Sequence, residues 1–132
     1  KRGGWLVVID GTVQDGQAEA EEWMHQVEKL RDPSHNRLLT PAMWNSLCDQ
    51  AGLKVVSCEV TDRKQPDLEW YFETANTSPE NRGAVIDLVK DAPKSARDLF
   101  RIGAEHGRTV WCCHCTTYSP SVDEGSPTIV FQ

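Results

Sequence analysis

An unbroken apolar run near the beginning of the chain, residues 5–9 (WLVVI), most constrains how the chain can fold. Gly4 precedes the run, and Asp10 and Gly11 follow it. Such a run is typical of a strand that is buried on both faces, in a sheet layered with helices. We therefore predict an α/β fold with a strand over Trp5–Gly11 that needs neighbouring strands on both sides.

Asp10 is the first polar residue after this apolar run. In open α/β sheets, ligands gather at the carboxyl ends of the strands. Asp10 is therefore a candidate catalytic residue that would lie beside a ligand. The alternative interpretation is a carboxylate that caps the following turn.

Helical periodicity and capping residues predict helices after the first strand. Thr40 and Ser78 each precede a proline, and Asp67 precedes an apolar helical face, so these three residues are predicted N-caps. The predicted helices are 18–31, 41–51, 67–76, 79–91 and 93–102, and the later strands are 53–61 and 108–118. We expect one domain over 1–118, followed by a flexible tail over 119–132.

The composition excludes several classes of partner. The chain has 132 residues and a net charge of -6, and its basic residues are scattered. Because a phosphate backbone calls for a basic surface, nucleic-acid binding is not expected. No apolar run is long enough to span a membrane, and no membrane association is expected. Five cysteines without a secretory pattern predict reduced thiols and a cytoplasmic location.

The segment 32–37 (DPSHNR) has a high density of side-chain hydrogen-bond donors. It could form a lid that holds the His35 imidazole and the Arg37 guanidinium over a ligand, or a simple Asx turn between two helices. His25 lies at the flank of the apolar stripe of the first helix. Side chains of these types can polarise a carbonyl or move a proton, so His25, His35 and Arg37 are candidate catalytic residues.

Five tryptophans are many for a chain of this length, and most are expected in the core. Trp70 and Tyr71 on a helix, with Trp111 on the last strand, could wall an apolar pocket for a polycyclic or prenylated substrate. Cys113 could line the same cavity. These four residues are the candidate substrate-binding set.

The run Cys112–Cys115, which contains His114, invites a zinc interpretation. Zinc ligands converge tetrahedrally, usually from a turn. On a strand, successive side chains point to opposite faces, so only two of the four would share a face. We therefore predict no metal site.

The ordered set of motifs resembles the C-terminal half of a class I S-adenosylmethionine-dependent methyltransferase of the ubiquinone/menaquinone-biosynthesis type. The residues that carry this resemblance are Gly3–Gly11, Asp32–His35, Leu39–Leu53, Gln65–Phe72 and Thr77–Arg82. They are similar to the family's glycine pair and fifth strand, its last helix, the glycine before its sixth strand, and an insertion in some members. The resemblance implies a truncated methyltransferase-like three-layer fold, with a small mixed sheet of about three strands and four to five helices.

The chain departs from that family in one large respect. The family holds its cofactor with a glycine-rich turn after its first strand and an acidic residue after its second, and no Gly-x-Gly-x-Gly occurs here. No cofactor-binding residue is therefore carried over. We expect no cofactor for this chain alone, and S-adenosylmethionine only if a missing N-terminal half is present.

Three functions follow as hypotheses. The first is a cofactor-independent cyclase or isomerase that acts on an apolar natural product; the second is the C-terminal part of a conventional methyltransferase; and the third is a non-catalytic partner subunit. Because a central strand should not keep a bare edge, we also expect a homodimer that pairs through the first strand.

Overall fold

The fold was analysed in a computed structural model that describes residues 6–121, with side chains through Cys112. The order of elements along the chain is as follows: β1 (Val8–Thr12), α1 (Ala18–Arg31), α2 (Pro41–Gln50), β2 (Lys54–Lys64), α3 (Leu68–Glu73), α4 (Pro79–Lys90), α5 (Lys94–Leu99), β3 (Gly103–Glu105), β4 (Arg108–Val110) and β5 (Cys112–Ser121). The predicted α/β class, with five helices and a small sheet in the described range, is confirmed. No helix in that range is both long and apolar enough to cross a membrane.

The described residues form two compact units. The first contains 6–15, 39–62 and 114–121, and the second contains 16–38 and 63–113. The first unit holds a sheet of order β1-β5-β2, in which β1 and β5 run antiparallel with Val8 opposite Tyr118 and Thr12 opposite His114. In this order β2 is a terminal strand.

The predicted position and burial of the first strand are wrong. The strand is Val8–Thr12 rather than Trp5–Gly11. Val8 is buried, whereas Val7 is 39% and Ile9 is 63% exposed. A strand is buried on both faces only where other elements pack against both faces. The face of this strand that carries Val7 and Ile9 is exposed. Asp10 consequently lies inside the strand rather than at its carboxyl end.

The prediction of a single last strand over 108–118 is also wrong. The chain turns back at His106 and Gly107, which both have positive φ, so that β3 and β4 form a short antiparallel hairpin. Strand β5 then begins at Cys112 and continues past Tyr118 to Ser121. The remainder of the predicted tail lies outside the described residues.

The helix starts follow from local capping, as predicted. Thr40 Oγ1 accepts a hydrogen bond from Met43 N, Asp67 Oδ1 from Trp70 N and Ser78 Oγ from Asn81 N. Each cap satisfies a backbone N–H that has no partner within the helix. The predicted bounds of α1 are confirmed, whereas α3 is shorter than predicted and the chain reaches positive φ at Asn76.

Candidate functional site

The second unit is built around the packing of α1 against α4 and α5. Ala20, Trp23, Met24 and Val27 form the buried face of α1. Trp23 Nε1 donates a hydrogen bond to Leu88 O at 3.1 Å, and Asn81 Nδ2 donates one to Leu30 O at 2.8 Å. Trp23, in the first half of α1, contacts Leu88 near the end of α4, and Leu30 near the end of α1 contacts Asn81 near the start of α4. The two helices therefore run antiparallel.

A groove of about 620 Å³ lies between these helices. Its lining residues are His25, Gln26, Lys29 and Leu30 of α1, Ala84, Asp87 and Leu88 of α4, and Asp91 just after α4. Leu30 and Leu88 supply apolar surface, and the small side chain of Ala84 leaves space between them. A largely apolar concave surface with a few polar groups is the usual form of a small-molecule site. This α1–α4 groove is therefore the candidate site.

His25 also lines a second, polar cavity of about 250 Å³, and Glu21, Glu22, Asn36 and Arg37 complete its lining. His25 thus lines both cavities. The rings of His25 and His35 lie close together, with centroids 5.6 Å apart and planes tilted by 49°. The structure therefore brings together two of the predicted catalytic residues, which are ten positions apart in sequence.

The loop after α1 is held by local hydrogen bonds. Asp32 Oδ1 accepts hydrogen bonds from Ser34 N at 2.9 Å and Ser34 Oγ at 2.7 Å, which forms an Asx turn. The Ser34 hydroxyl, followed by the Ser34 backbone, lowers the pKa of Asp32. Lys29 Nζ donates to Pro33 O at 2.9 Å and to His35 O at 2.7 Å. The loop therefore has the Asx-turn form, and its backbone positions His35 beside α1.

Of the other two predicted catalytic residues, Arg37 lines the polar cavity with His25, whereas Asp10 lies in the first unit. Arg37 forms an ion pair with Glu21, and the Arg37 side chain remains 54% exposed. Asp10 belongs to the first unit, where its Oδ1 accepts a hydrogen bond from Gly11 N at 2.8 Å. This local hydrogen bond agrees with the alternative interpretation, in which the Asp10 carboxylate caps the backbone that follows it.

The predicted aromatic residues of the substrate pocket have other surroundings. Tyr71 and Trp111 are each 2% exposed and pack edge to face, with ring centroids 4.6 Å apart. Trp70 is exposed to 36%. None of these three residues lines the α1–α4 groove or the polar cavity. The Cys113 side chain lies outside the described residues, and substrate binding by this set stays a prediction.

The α4 side of the groove was not predicted from the sequence, because Ala84, Asp87, Leu88 and Asp91 form no motif. In the described part of the chain, no group of three His, Cys, Asp or Glu side chains could hold a metal ion.

Comparisons with known proteins agree with this fold. No protein-family model matches the chain. Uncharacterized protein YafE of Escherichia coli is 31% identical over 101 residues, which is 76% of this chain and 46% of YafE. The chain therefore spans less than half the length of this curated relative.

Two solved structures are similar over most of the chain. One is a putative methyltransferase of Bacillus halodurans, BH2331, with a TM-score of 0.81 and 22% identity over 93% of this chain and 57% of that one. The other is YcgJ of Bacillus subtilis, with a TM-score of 0.82 and 20% identity over 95% and 53% of the respective chains. Identities this low establish the fold alone. The chain has a methyltransferase-like α/β fold.

Proposed function

We propose that this chain is the acceptor-side part of an S-adenosylmethionine-dependent methyltransferase, in which the α1–α4 groove holds the molecule to be methylated. The supporting observation is that 93% of the chain superposes on only 57% of a putative methyltransferase. In this proposal, residues outside this chain bind the cofactor. This chain binds and orients the acceptor.

Two observations argue against a cofactor site within this chain. The carboxyl end of β1 is closed, because Thr12 and Val13 are 2% and 0% exposed and Thr12 Oγ1 donates a hydrogen bond to Leu39 O at 2.7 Å. Asp10, the acidic residue of β1, binds its own neighbour's backbone. These contacts support a cofactor site formed by residues outside this chain.

The groove offers the chemistry that an acceptor would need. Its apolar lining favours an apolar molecule, and the His25 imidazole provides a polar group for orientation. An imidazole can also accept or donate a proton near neutral pH. The His35 ring lies beside the His25 ring, with centroids 5.6 Å apart, and covers part of the His25 side chain.

The second candidate function is cofactor-independent cyclisation or isomerisation of an apolar natural product. The adjacent imidazoles of His25 and His35, with centroids 5.6 Å apart, support it, although His35 lines neither cavity. Preorganised donors and exclusion of water would then supply the rate enhancement without a cofactor. In this candidate, His25 and His35 move the proton and Arg37 orients the substrate.

Calorimetric titration with S-adenosylmethionine tests the proposal. We expect binding by the product of the complete gene and none by the 132-residue chain alone. Binding by the short chain, or its absence from the complete gene product, would contradict the proposal. If the complete gene product does not bind S-adenosylmethionine, the cyclase or isomerase function is favoured.

Homodimerisation through the first strand is a further proposal about partners. In the described sheet β1 is a terminal strand next to β5, and Ile9 is 63% exposed. A second copy could cover this edge and face. Sedimentation equilibrium of the chain as a monomer at all concentrations would contradict it.

A further inference from the structure

We propose that the α1–α4 groove binds an uncharged apolar molecule through a hydrogen bond that His25 Nε2–H donates to an oxygen atom of that molecule. This inference rests on the proposed function, because the same groove holds the methyl acceptor there. It specifies which nitrogen of the His25 ring contacts the ligand, that this nitrogen donates a hydrogen bond, and which class of ligand the groove prefers.

The surroundings of the two ring nitrogens of His25 differ. Nδ1 is buried and has no hydrogen-bond partner in the part of the chain that the structure describes. Nε2 is not among the buried nitrogens without a partner. A buried N–H without an acceptor is among the most unfavourable arrangements in proteins, and a buried lone pair is tolerated better. The neutral ring therefore carries its hydrogen on Nε2.

With this tautomer His25, which lines the groove, is a hydrogen-bond donor. In neutral imidazole one nitrogen donates and the other accepts. Because Nδ1 keeps the lone pair, Nε2 is the nitrogen with an N–H to offer a ligand. The matching group on a ligand is an oxygen acceptor, such as a carbonyl, rather than a hydroxyl that must donate its own proton.

The charges around the groove disfavour an anionic ligand. Asp87 and Asp91 lie one helical turn apart along one side, and both are exposed. Lys29, the cation of the lining, is engaged by two carbonyl oxygens of the following loop. Asp87 is paired with Lys90 Nζ at 3.3 Å, so a carboxylate in the groove would meet repulsion mainly from Asp91. The preferred ligand is therefore uncharged, with an apolar body against Leu30 and Leu88.

Nuclear magnetic resonance (NMR) titration of the chain with three matched probes tests the ligand class: 2-acetylnaphthalene, 2-ethylnaphthalene and 2-naphthoate. The first carries an accepting oxygen, the second has the same shape without it, and the third is charged. We expect 2-acetylnaphthalene to shift groove resonances and 2-naphthoate to bind more weakly. No groove shifts with 2-acetylnaphthalene up to its solubility limit, or tighter binding of 2-naphthoate, would overturn the inference.

Variants isolate the hydrogen bond from the apolar contact. In His25→Phe, the affinity ratio of 2-acetylnaphthalene to 2-ethylnaphthalene should fall roughly two- to tenfold, the equivalent of one net hydrogen bond. Glu80→Ala, at an exposed position of α4 outside the groove lining, should leave this ratio unchanged. An unchanged ratio in a folded His25→Phe, or an equal fall in Glu80→Ala, would count against His25 as the donor. Should His25→Phe fail to fold, His25→Gln replaces it under the same criterion.

The tautomer has its own readout in the wild-type chain. Long-range ¹H–¹⁵N correlation spectra at mildly alkaline pH should show His25 Nε2 as the protonated nitrogen and Nδ1 as the unprotonated one. The reverse assignment would overturn the inference even if probes bind. Neither experiment uses S-adenosylmethionine, so a failure here leaves the methyltransferase proposal intact, and failure of that proposal leaves the donor assignment intact.

Discussion

The guanidinium of Arg31 lies over the ring of Tyr71, with its Cζ atom 4.3 Å from the ring centroid. The same guanidinium donates from Nε to Tyr71 O at 3.0 Å and pairs with Glu28 at 2.9 Å. The Tyr71 hydroxyl donates to the other oxygen of Glu28 at 2.7 Å. Three side chains thus close a ring of contacts between α1 and α3, and Tyr71 stabilises the second unit by holding these helices together.

Removing the Tyr71 hydroxyl should destabilise the chain. Tyr71→Phe keeps the ring under Arg31 but loses the hydrogen bond to the largely buried Glu28 carboxylate. Hydrogen bonds to charged groups contribute about 1.5–3 kcal/mol, so the free energy of unfolding should fall by about that amount in urea denaturation. A double-mutant cycle with Glu28→Gln should show coupling between the two residues. Additive effects would mean that the hydrogen bond contributes nothing.

Asp67 should make stability depend on pH in the acid range. The hydrogen bond from Trp70 N, with the Arg108 ion pair, lowers the pKa of Asp67 below its ordinary value of 3.8. A carboxyl group whose pKa is lower in the folded state stabilises above the unfolded pKa and loses that contribution as pH falls through the folded pKa. The wild type should therefore exceed Asp67→Asn in stability at pH 6, and the difference should shrink below about pH 3.8.

Asparagine is the right replacement because it keeps an N-cap acceptor while removing the charge. The measurement is urea denaturation of both proteins between pH 6 and pH 3. A difference that grows on acidification would contradict the assigned direction of the pKa shift.

The capping hydrogen bond at the start of α4 can be tested separately from the effect of a charge at that position. Ser78 Oγ accepts from Asn81 N at 3.3 Å, so Ser78→Ala should cost about 1 kcal/mol of stability. Ser78→Asp supplies another acceptor and a favourable charge at the helix N-terminus, and should retain wild-type stability or exceed it. Equal losses in both variants would show that the hydroxyl has a role other than capping.

Arg37 offers a test of its predicted catalytic role. Its side chain is 54% exposed in the ion pair with Glu21, and exposed pairs contribute about 0–1 kcal/mol. Arg37→Gln should therefore unfold within about 0.5 kcal/mol of the wild type. If Arg37 orients a substrate, the same variant should lose activity in the complete protein while its stability is retained. Unchanged activity would remove Arg37 from the candidate site.

The described cysteines should differ in reactivity. Burial raises the pKa of the Cys48 thiol, which leaves less of the reactive thiolate at neutral pH. Cys58 lies on β2 and is exposed. Brief treatment with iodoacetamide followed by peptide mass spectrometry should find Cys58 alkylated well before Cys48. Equal rates at both positions would show that the second helix opens easily.

Local interactions explain why much of the secondary structure was predictable. The bounds of α1 follow from its apolar spacing and the acidic first turn, and the start of α2 follows from a threonine cap before Pro41. Such signals act over one or two turns of chain, so they are readable without knowing the partners of an element. The methyltransferase-like class followed from the order of these elements.

The candidate site was only partly predictable for the opposite reason. His25 and His35 were separate candidates in the sequence, and their proximity depends on Lys29 and Asp32, which hold the intervening loop. The α4 wall of the groove carries no motif, because a site lined by leucine, alanine and aspartate differs little from an ordinary helix surface.

The sequence by itself determined where helices begin, which faces they bury and the α/β class, since each depends on spacing and caps within a short stretch of chain. Only the tertiary structure decided that β5 lies between β1 and β2, that Ile9 is exposed, that 103–110 forms a hairpin, and that two imidazoles meet beside the α1–α4 groove. These outcomes depend on which distant segments pair. Pairing is set by the coverage of each face rather than by the composition of either partner.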